Sequence, residues 1–241
     1  DPGGQFVLTA NGSSNSVSVF RIGSTGALSE VAGSPFAAGA DPEAVVVTQG
    51  GHVYAANAGG GSVSAYSLST TTGSLTPVAG SPFAVGGNPQ GLVVDPSGTH
   101  LYAAGSQAVS GLTIDLGTGA LTSIPGSPFT APNGALSVVM DGAGKLLHVA
   151  NGTNVDCYTV DSSSGALTYI GPSVTNGRAV ALAVDAPDGF LYALDNVSNQ
   201  IEVFSIGTVS YNLALIGGNP YPLFPGAATQ SLAPSSITVV H

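Results

Sequence analysis

The chain has 241 residues, of which 43% are hydrophobic and only 7% are charged, and its formal net charge is −10 with three cationic side chains. An apolar fraction of this size builds a folded core, which excludes an intrinsically disordered chain. Nucleic-acid backbones and anionic membranes require clustered Lys and Arg, so the composition predicts neither a nucleic-acid partner nor membrane insertion.

The scarcity of charged residues also bears on location. The chain relies on Ser, Thr, Asn and Gly for solubility, which favours an exported protein, extracellular, periplasmic or on the cell surface. Its opening Asp1-Pro2 has no basic or apolar leader, so a signal peptide is expected to be removed or absent. Cys157 is the single cysteine, which excludes an intrachain disulfide, and its alternating surroundings predict a buried free thiol.

Five self-similar units follow one another along the chain. They begin at tetrapeptides related to Asp-Pro-x-Gly and cover residues 1–47, 48–94, 95–140, 141–184 and 185–241. Repeats of this length, built from short alternating segments, are typical of β-propeller blades. We therefore predict one all-β propeller domain over residues 1–241.

Each unit contains short segments rich in β-branched and aromatic residues between Gly, Asn, Pro and Ser, which predicts four antiparallel strands per blade. We name these strands A to D from the centre outwards. The chain opens with strands B, C and D of the first blade, which start at Phe6, Ser16 and Leu28. The inner strands A of the next four blades are nearly continuously apolar, which predicts burial on both faces. They are predicted at Ala44–Val47, Gly91–Val94, Ser137–Met140 and Val180–Val184.

The last predicted strand, Ile237–Val240, is a further strand A. Pairing it with Phe6–Ala10 in the first blade gives a closed five-bladed ring with no open edge at the seam. The alternative is a five-unit piece of a ring with roughly six to eight blades, which shows the same pattern. The stretch 208–234 is longer than its counterparts, and we expect it either to cover the pore or a partner site, or to fill the seam.

The phrase Gly-Ser-Pro-Phe occurs at Gly33–Phe36, Gly80–Phe83 and Gly126–Phe129. With Leu101–Ala104 and Ser16–Phe20, it resembles the lactonase-like, YVTN-type bacterial propellers over essentially the whole chain. The resemblance implies a propeller, although members typically have seven blades, and five units depart from that number. The family includes sugar-lactone hydrolases and many surface and secreted proteins, so the resemblance implies the fold and no particular catalytic residue. We expect each phenylalanine of the phrase to be buried between blades and each proline to end the outer strand.

Propellers bind ligands mainly on the face made by the D–A and B–C loops, here called the mouth face; the A–B and C–D turns form the turn face. Among the carboxylates, Asp41, Glu43 and Asp195 map to the mouth face, and Arg178 is its cation. Glu30, Asp156 and Glu202 fall in outer strands and are expected to be solvated. The expected binding residues are Asn88, Gln90, Asn133, Asn176, Arg178 and Asp195.

Two functions remain open. No nucleophile elbow, metal motif or phosphate loop occurs, so neither a cofactor nor a metal is expected. This favours a non-catalytic extracellular scaffold or recognition module for a glycan or protein partner, or part of a surface assembly. The alternative is a lactone or ester hydrolase at the pore mouth, with Glu43 as base, Arg178 stabilising the carbonyl oxygen and Asp41 tuning Glu43. A single arginine disfavours a phosphorylated lactone as substrate.

Overall fold

The computed structural model describes residues 1–106, 108–131, 134–175, 178–185, 189–207, 213–218 and 220–223. These residues form antiparallel β-strands. In chain order the strands are β1 (Phe6–Asn11), β2 (Ser16–Ile22), β3 (Leu28–Glu30), β4 (Phe36–Ala37), β5 (Pro42–Val47), β6 (His52–Asn57), β7 (Ser62–Leu68), β8 (Leu75–Pro77), β9 (Phe83–Ala84), β10 (Gly91–Val94), β11 (His100–Ala104), β12 (Ala108–Ile114), β13 (Leu121–Ser123), β14 (Phe129–Thr130), β15 (Ser137–Met140), β16 (Leu146–Ala150), β17 (Asn154–Val160), β18 (Leu167–Val174), β19 (Ala179–Asp185), β20 (Phe190–Asp195), β21 (Gln200–Ile206), β22 (Leu213–Leu215) and β23 (Tyr221–Pro222).

The strands assemble into antiparallel meanders, one for each predicted unit, which we call the first to fifth sheets. The sheet orders are β1-β2-β3, β5-β6-β7-β8, β10-β11-β12-β13, β15-β16-β17-β18 and β19-β20-β21-β22. The inner strands of neighbouring sheets contact one another in chain order, β1 with β5, β5 with β10, β10 with β15 and β15 with β19. The predicted all-β, propeller-like architecture is therefore observed. Where the structure describes the chain, no helix is long and apolar enough to cross a membrane.

The Gly-Ser-Pro-Phe phrase divides the outer strand of the first three sheets into two short segments, which the prediction of four strands per blade missed. In the second sheet β8 pairs with the end of β7, and β9 returns to pair with its beginning. Between them the Ser81 hydroxyl accepts a hydrogen bond from the Ala65 N–H at 2.9 Å. Ser34 and Ser127 do the same in the first and third sheets. The serine thus supplies the acceptor that the interrupted ladder lacks.

The phenylalanines of the phrase are half-buried, whereas the sequence predicted that they would be enclosed. Phe36, Phe83 and Phe129 each pack on the edge of an apolar cluster. Each ring also folds back over the first glycine of its own phrase; a Cβ built on Gly80 would lie 3.4 Å from the Phe83 ring. Because the rings lie on the outermost strand, one side of each remains open to solvent.

The apolar core lies between sheets. Each of four clusters combines side chains of two consecutive sheets; Tyr54 and Val63 of the second sheet, for example, pack with Leu101 and Leu112 of the third. Burial is complete in the strands next to the innermost, such as β6, β11 and β16. The inner strands β5, β10 and β15 are only partly buried, so the prediction of burial on both faces is wrong for these three, whereas β19 is mostly buried. A sheet neighbour covers both faces of a middle strand, whereas the inner strand also borders the centre.

The predicted seam lies outside the described residues. This applies to the closing strand Ile237–Val240 and to most of the stretch 208–234. Within the described part, β1 is the innermost strand of the first sheet, and Tyr221–Pro222 pairs with β21 as Phe83–Ala84 pairs with β7. The number of blades in the ring and its closure therefore stay predictions.

Candidate functional site

A tripeptide at the start of the inner strand builds the mouth face in the second to fifth sheets. The four tripeptides are Asp41-Pro42-Glu43, Asn88-Pro89-Gln90, Gly134-Ala135-Leu136 and Arg178-Ala179-Val180. Strand register makes them equivalent, because Pro42 and Ala179 pair with Asn57 and Asp195 at the corresponding ends of β6 and β20. The central residue is buried in all four, and the flanking residues are exposed or half-buried.

This arrangement brings most of the predicted site residues to one end of equivalent strands. Asp41, Glu43, Asn88, Gln90 and Arg178 are all exposed flanking residues of the tripeptides. The second and third sheets therefore present carboxylate and amide groups. The fourth and fifth sheets present Leu136, Val180 and the guanidinium of Arg178. Asn133 and Asn176, which the sequence also predicted as binding residues, lie outside the described residues.

Glu43 occupies a β-bulge, which sequence patterning did not reveal. The pairing of β5 with β6 passes from Pro42 opposite Asn57 to Ala44 opposite Ala56, so Glu43 has no cross-strand partner. The pairing of β19 with β20 skips Val180 in the same way. A bulge turns the inserted side chain away from the regular ladder and re-aims it. Glu43 is therefore exposed at the mouth although it lies within a strand.

Asp41 and Arg178 occupy equivalent positions with opposite charges. The Asp41 N–H donates to Asn15 Oδ1 at 2.8 Å, and a Cβ built on Gly12 would lie 2.6 Å from Asp41 Oδ1. A Cβ built on Gly152 would lie 3.6 Å from Arg178 Nε. Gly12 and Gly152 each follow an asparagine at the end of a strand B. Each charged side chain thus lies over the Asn-Gly loop of the preceding sheet, and a glycine makes room for it.

Asp195 organises the loop beneath Arg178. It is 3% exposed, and its carboxylate accepts hydrogen bonds from the N–H groups of Val197 at 2.8 Å and Ser198 at 3.2 Å, and from the Ser198 hydroxyl. The backbone N–H of Arg178 also donates to it. Burial raises the pKa of Asp195, but these hydrogen bonds from Ser198, Val197 and Arg178 outweigh burial and lower the pKa overall. These contacts give the predicted binding residue Asp195 a positioning role towards Arg178.

Glu43 and Arg178 are not joined by an ion pair. They belong to the second and fifth sheets, with two sheets between them. A contact that does join a carboxylate to a basic side chain is that of Asp95 with His100, 3.4 Å apart on the turn face. There the Ser97 hydroxyl donates to the Asp95 carboxylate. The Thr99 hydroxyl contacts His100 Nδ1 at 3.1 Å, and Asp95 contacts the same nitrogen. The hydroxyl and the carboxylate therefore do not lie on opposite nitrogens of the imidazole, as they do in a catalytic triad.

Two carboxylates are buried that the sequence predicted to be solvated. Asp156 is 0% exposed and Glu202 is 2% exposed. They continue a series of buried serines spaced by 46 residues, which is Ser18, Ser64, Ser110, Asp156 and Glu202. Asp156 accepts hydrogen bonds from Asn151 Nδ2 at 2.9 Å and from the Tyr169 hydroxyl at 3.2 Å. The expectation failed because strand C, although far from the centre, lies between neighbouring sheets.

The turn face carries a cavity of about 450 Å³ between the A–B turns of the second and third sheets, lined by Gln49, His52, Asp95, Pro96 and Leu116 among others. Two of the polar groups at its wall bond within the protein. His52 Nε2 contacts the Leu116 carbonyl at 3.2 Å, and the Asp95 carboxylate accepts the His100 N–H at 2.8 Å. The mouth face, where charged groups are exposed, is therefore the better candidate site.

Comparisons with known proteins agree with this architecture. A sequence profile described as "Lactonase, 7-bladed beta-propeller" matches residues 1–222. A comparison with curated protein sequences finds no match. Among solved structures, the chain is similar to a protein from Lactobacillus plantarum, with 23% identity and a TM-score of 0.79 over 92% of this chain and 70% of that one.

Two further similar structures have names that include a lactonase activity. One is a candidate 6-phosphogluconolactonase from Bacteroides uniformis, with 20% identity and a TM-score of 0.80 over 91% of this chain and 69% of that one. The other is the periplasmic gluconolactonase of Pseudomonas aeruginosa, with 21% identity and a TM-score of 0.73 over 91% and 69%. At identities this low, the similarity establishes a shared fold and does not establish a shared activity.

The match to a lactonase family overturns the expectation of a non-catalytic scaffold or recognition module. The profile covers most of the chain and describes enzymes, so the hydrolase alternative fits better. The expectation rested on the lack of a contiguous catalytic motif. In a propeller the residues that meet at the mouth come from separate repeats, each contributing one or two, so such a site leaves no contiguous motif.

Proposed function

The chain belongs to the lactonase family of β-propellers, and from that premise we propose that it hydrolyses the ring ester of a lactone at the mouth face. The family match over residues 1–222 is the observation that carries the proposal. The exposed charged groups at the ends of the inner strands support the assignment to this face. Glu43 and Arg178 are the two residues to which we assign chemistry.

The proposed reaction adds one water to one lactone. Glu43 accepts a proton from the water as its oxygen attacks the ester carbonyl carbon. Arg178 stabilises the negative charge that develops on the carbonyl oxygen. The bond between the carbonyl carbon and the ring oxygen then breaks, and the ring oxygen takes the proton back from Glu43. The product is an open-chain hydroxy acid, which releases one proton to solvent at neutral pH.

The surroundings support these roles. The bulge holds Glu43 outside the ladder, so its carboxylate is available to a water molecule at the mouth. The hydrogen bond from the Arg178 N–H to Asp195 fixes the backbone from which the guanidinium extends. Asp41, exposed and two residues from Glu43, offers a second carboxylate that accepts hydrogen bonds from substrate hydroxyls.

Turnover of D-glucono-1,5-lactone, followed through proton release, tests the proposal. We expect Glu43→Gln to lower kcat by about 10²-fold or more, because it removes the base. Glu30→Gln is the matched control, since Glu30 is an exposed carboxylate on β3 that accepts a hydrogen bond from Ser34. Arg178→Gln should also lower kcat, because it removes the charge that stabilises the carbonyl oxygen. Lys145→Gln, on the turn face, is its control. The same rate in Glu43→Gln as in the unsubstituted protein would contradict the assignment.

The closure of the propeller ring is a further part of the proposal. We propose that Ile237–Val240 pairs with β1 and closes a five-bladed ring, because every other sheet has one more strand on its inner side. The competing arrangement is an arc of the seven-bladed ring that the family description names. Deleting residues 235–241 should lower the stability of the whole domain if the strand closes the ring. Unchanged urea unfolding after the deletion would favour the arc.

A periplasmic or otherwise exported location also belongs to the proposal. It is supported by the charge-poor composition and by the similarity to a gluconolactonase named as periplasmic.

A further inference from the structure

The placement of the three cations of the chain limits the substrates that the mouth face can hold. The Arg21 guanidinium donates to the Thr71 carbonyl at 2.6 Å and lies 4.6 Å from the centre of the Phe6 ring. Lys145 lies in the A–B turn of the fourth sheet, where its N–H donates to Asp141 at 2.7 Å. Both are on the turn face. Arg178 is therefore the one cation that this chain places at the mouth.

Negative charge outweighs this cation at the mouth. Asp41 and Glu43 are exposed there, and Asp195 lies buried below Arg178. The chain as a whole carries −10. A phosphate group brings nearly two further negative charges and is normally bound by several Arg or Lys donors or by a metal ion. Its approach to this mouth would be opposed both locally and by the field of the whole chain.

The hydrogen-bonding groups at the mouth fit a different ligand. The second and third sheets present the acceptor oxygens of Asp41, Glu43, Asn88 and Gln90. The fourth and fifth sheets present Leu136 and Val180 beside Arg178. Hydroxyl groups donate to carboxylates and amide oxygens, and an ester carbonyl accepts from a guanidinium. A ring with several hydroxyls and one ester carbonyl therefore matches the acceptors of the second and third sheets and the guanidinium of the fifth sheet.

From this distribution of charge and acceptors we infer that the substrate is an uncharged, polyhydroxylated lactone and not a phosphorylated sugar lactone. The inference rests on the proposed lactonase function. Carboxylates at the mouth thus select for substrate hydroxyls and against substrate phosphate.

The test compares two substrates that differ in one phosphate group, D-glucono-1,5-lactone and its 6-phosphate. We expect kcat/KM to be about tenfold or more higher for the uncharged lactone at low ionic strength. The preference should shrink as salt is added, because salt screens the repulsion of the phosphate. Asp41→Asn should lower the ratio of kcat/KM for the uncharged lactone to kcat/KM for the 6-phosphate. Glu30→Gln makes the same change of charge away from the mouth and should leave this ratio unaltered.

Two outcomes separate the inference from the function on which it rests. Equal or higher kcat/KM for the 6-phosphate overturns the inference and leaves the lactonase proposal standing. Hydrolysis of neither lactone overturns the lactonase proposal. In that case binding of the unhydrolysable D-glucono-1,5-lactam and its 6-phosphate, measured by calorimetry, still decides the selectivity. Tighter binding of the uncharged lactam supports the inference, and equal binding, tighter binding of the phosphate or binding of neither overturns it.

Discussion

The Tyr54 hydroxyl donates a hydrogen bond to the Gly119 carbonyl at 3.0 Å, and so ties strand B of the second sheet to a turn of the third. Tyr102 makes the equivalent bond to Gly165 of the fourth sheet at 2.8 Å. Both tyrosines are fully buried, and burial raises the pKa of each phenol. These bonds join sheets that pairing between strands does not connect.

Tyr54→Phe should therefore weaken the domain although it keeps the ring. The Gly119 carbonyl would lose its buried donor, and such a loss costs about 1–3 kcal/mol. Urea unfolding measures the change. Tyr221→Phe is the control, because Tyr221 is exposed and its hydroxyl bonds to Gly217 at 3.2 Å on the surface. Equal stability of the two variants would show that the bond between sheets contributes nothing.

Ser127→Ala should destabilise the third sheet through the interrupted outer strand. The Gly111 N–H donates to the Ser127 hydroxyl at 3.0 Å, and the substitution removes that acceptor. We expect a loss of about 1–2 kcal/mol in the free energy of unfolding. Ser67→Ala, at an exposed serine of β7, is the comparison and should change stability by less than about 0.5 kcal/mol. A similar loss in both would refute a special role for the serine of the repeated phrase.

His148 should make the protein sensitive to mild acid. It occupies the strand position of Tyr54 and Tyr102, is 0% exposed, and its Nδ1 lies 3.4 Å from Cys157 Sγ. Burial lowers the pKa of His148 to about 4. The unfolded chain has an ordinary histidine pKa of about 6.5. Between this pH and the folded pKa, His148 is protonated in the unfolded chain but neutral in the folded protein. Stability should therefore fall between pH 6.5 and 4, by about 3 kcal/mol in total.

Unfolding in urea at pH 7 and pH 4.5 measures this dependence. His148→Phe and His148→Gln remove the titrating group and should flatten the curve above pH 4.5. The carboxylates whose pKa is lowered, among them Asp95 and Asp195, lose their stabilising effect only below about pH 4, so they do not mask the change. A slope that persists in both variants would assign the acid sensitivity to other groups.

Gly12→Ala should affect catalysis more than stability. The new methyl group would lie 2.6 Å from Asp41 Oδ1, and the flexible end of that side chain would have to move. We expect kcat/KM for the lactone to fall about tenfold or more, because small misplacements of binding groups are costly in rate. Gly217→Ala, with nothing within 4 Å of the new methyl group, is the control. Full activity in Gly12→Ala would show that the position of Asp41 does not matter.

The strands were predictable from sequence because alternation and turn residues repeat five times. The predicted strand starts at Phe6, Ser16 and Leu28 agree with the structure, as do the predicted bounds of β10 and β15. The two-residue strands such as Phe83–Ala84 were missed because they are too short to show a period. The buried position of Asp156 was missed for another reason. Its burial depends on the neighbouring sheet, although the register shared with Ser64 and Ser110 contained the signal.

The site was predictable only in part. The positions of Asp41, Glu43 and Arg178 at one end of the inner strands followed from the repeat. The exposure of Glu43 depends on a bulge, and a bulge inserts a residue without changing the apolar character of the strand. The lean of Asp41 and Arg178 over Gly12 and Gly152 depends on contacts between sheets, which the spacing within one unit does not encode.

The location of the core between sheets has a consequence for how this architecture tolerates change. A single unit cut from the chain would expose an apolar surface on each side, so no unit is expected to fold alone. The stability of the domain is then approximately a sum over the interfaces between neighbouring units, and each added unit contributes one interface. Duplication or loss of a whole unit keeps every remaining interface of the same kind. A lineage built in this way can change its number of blades in single steps while the chemistry at each strand end evolves separately.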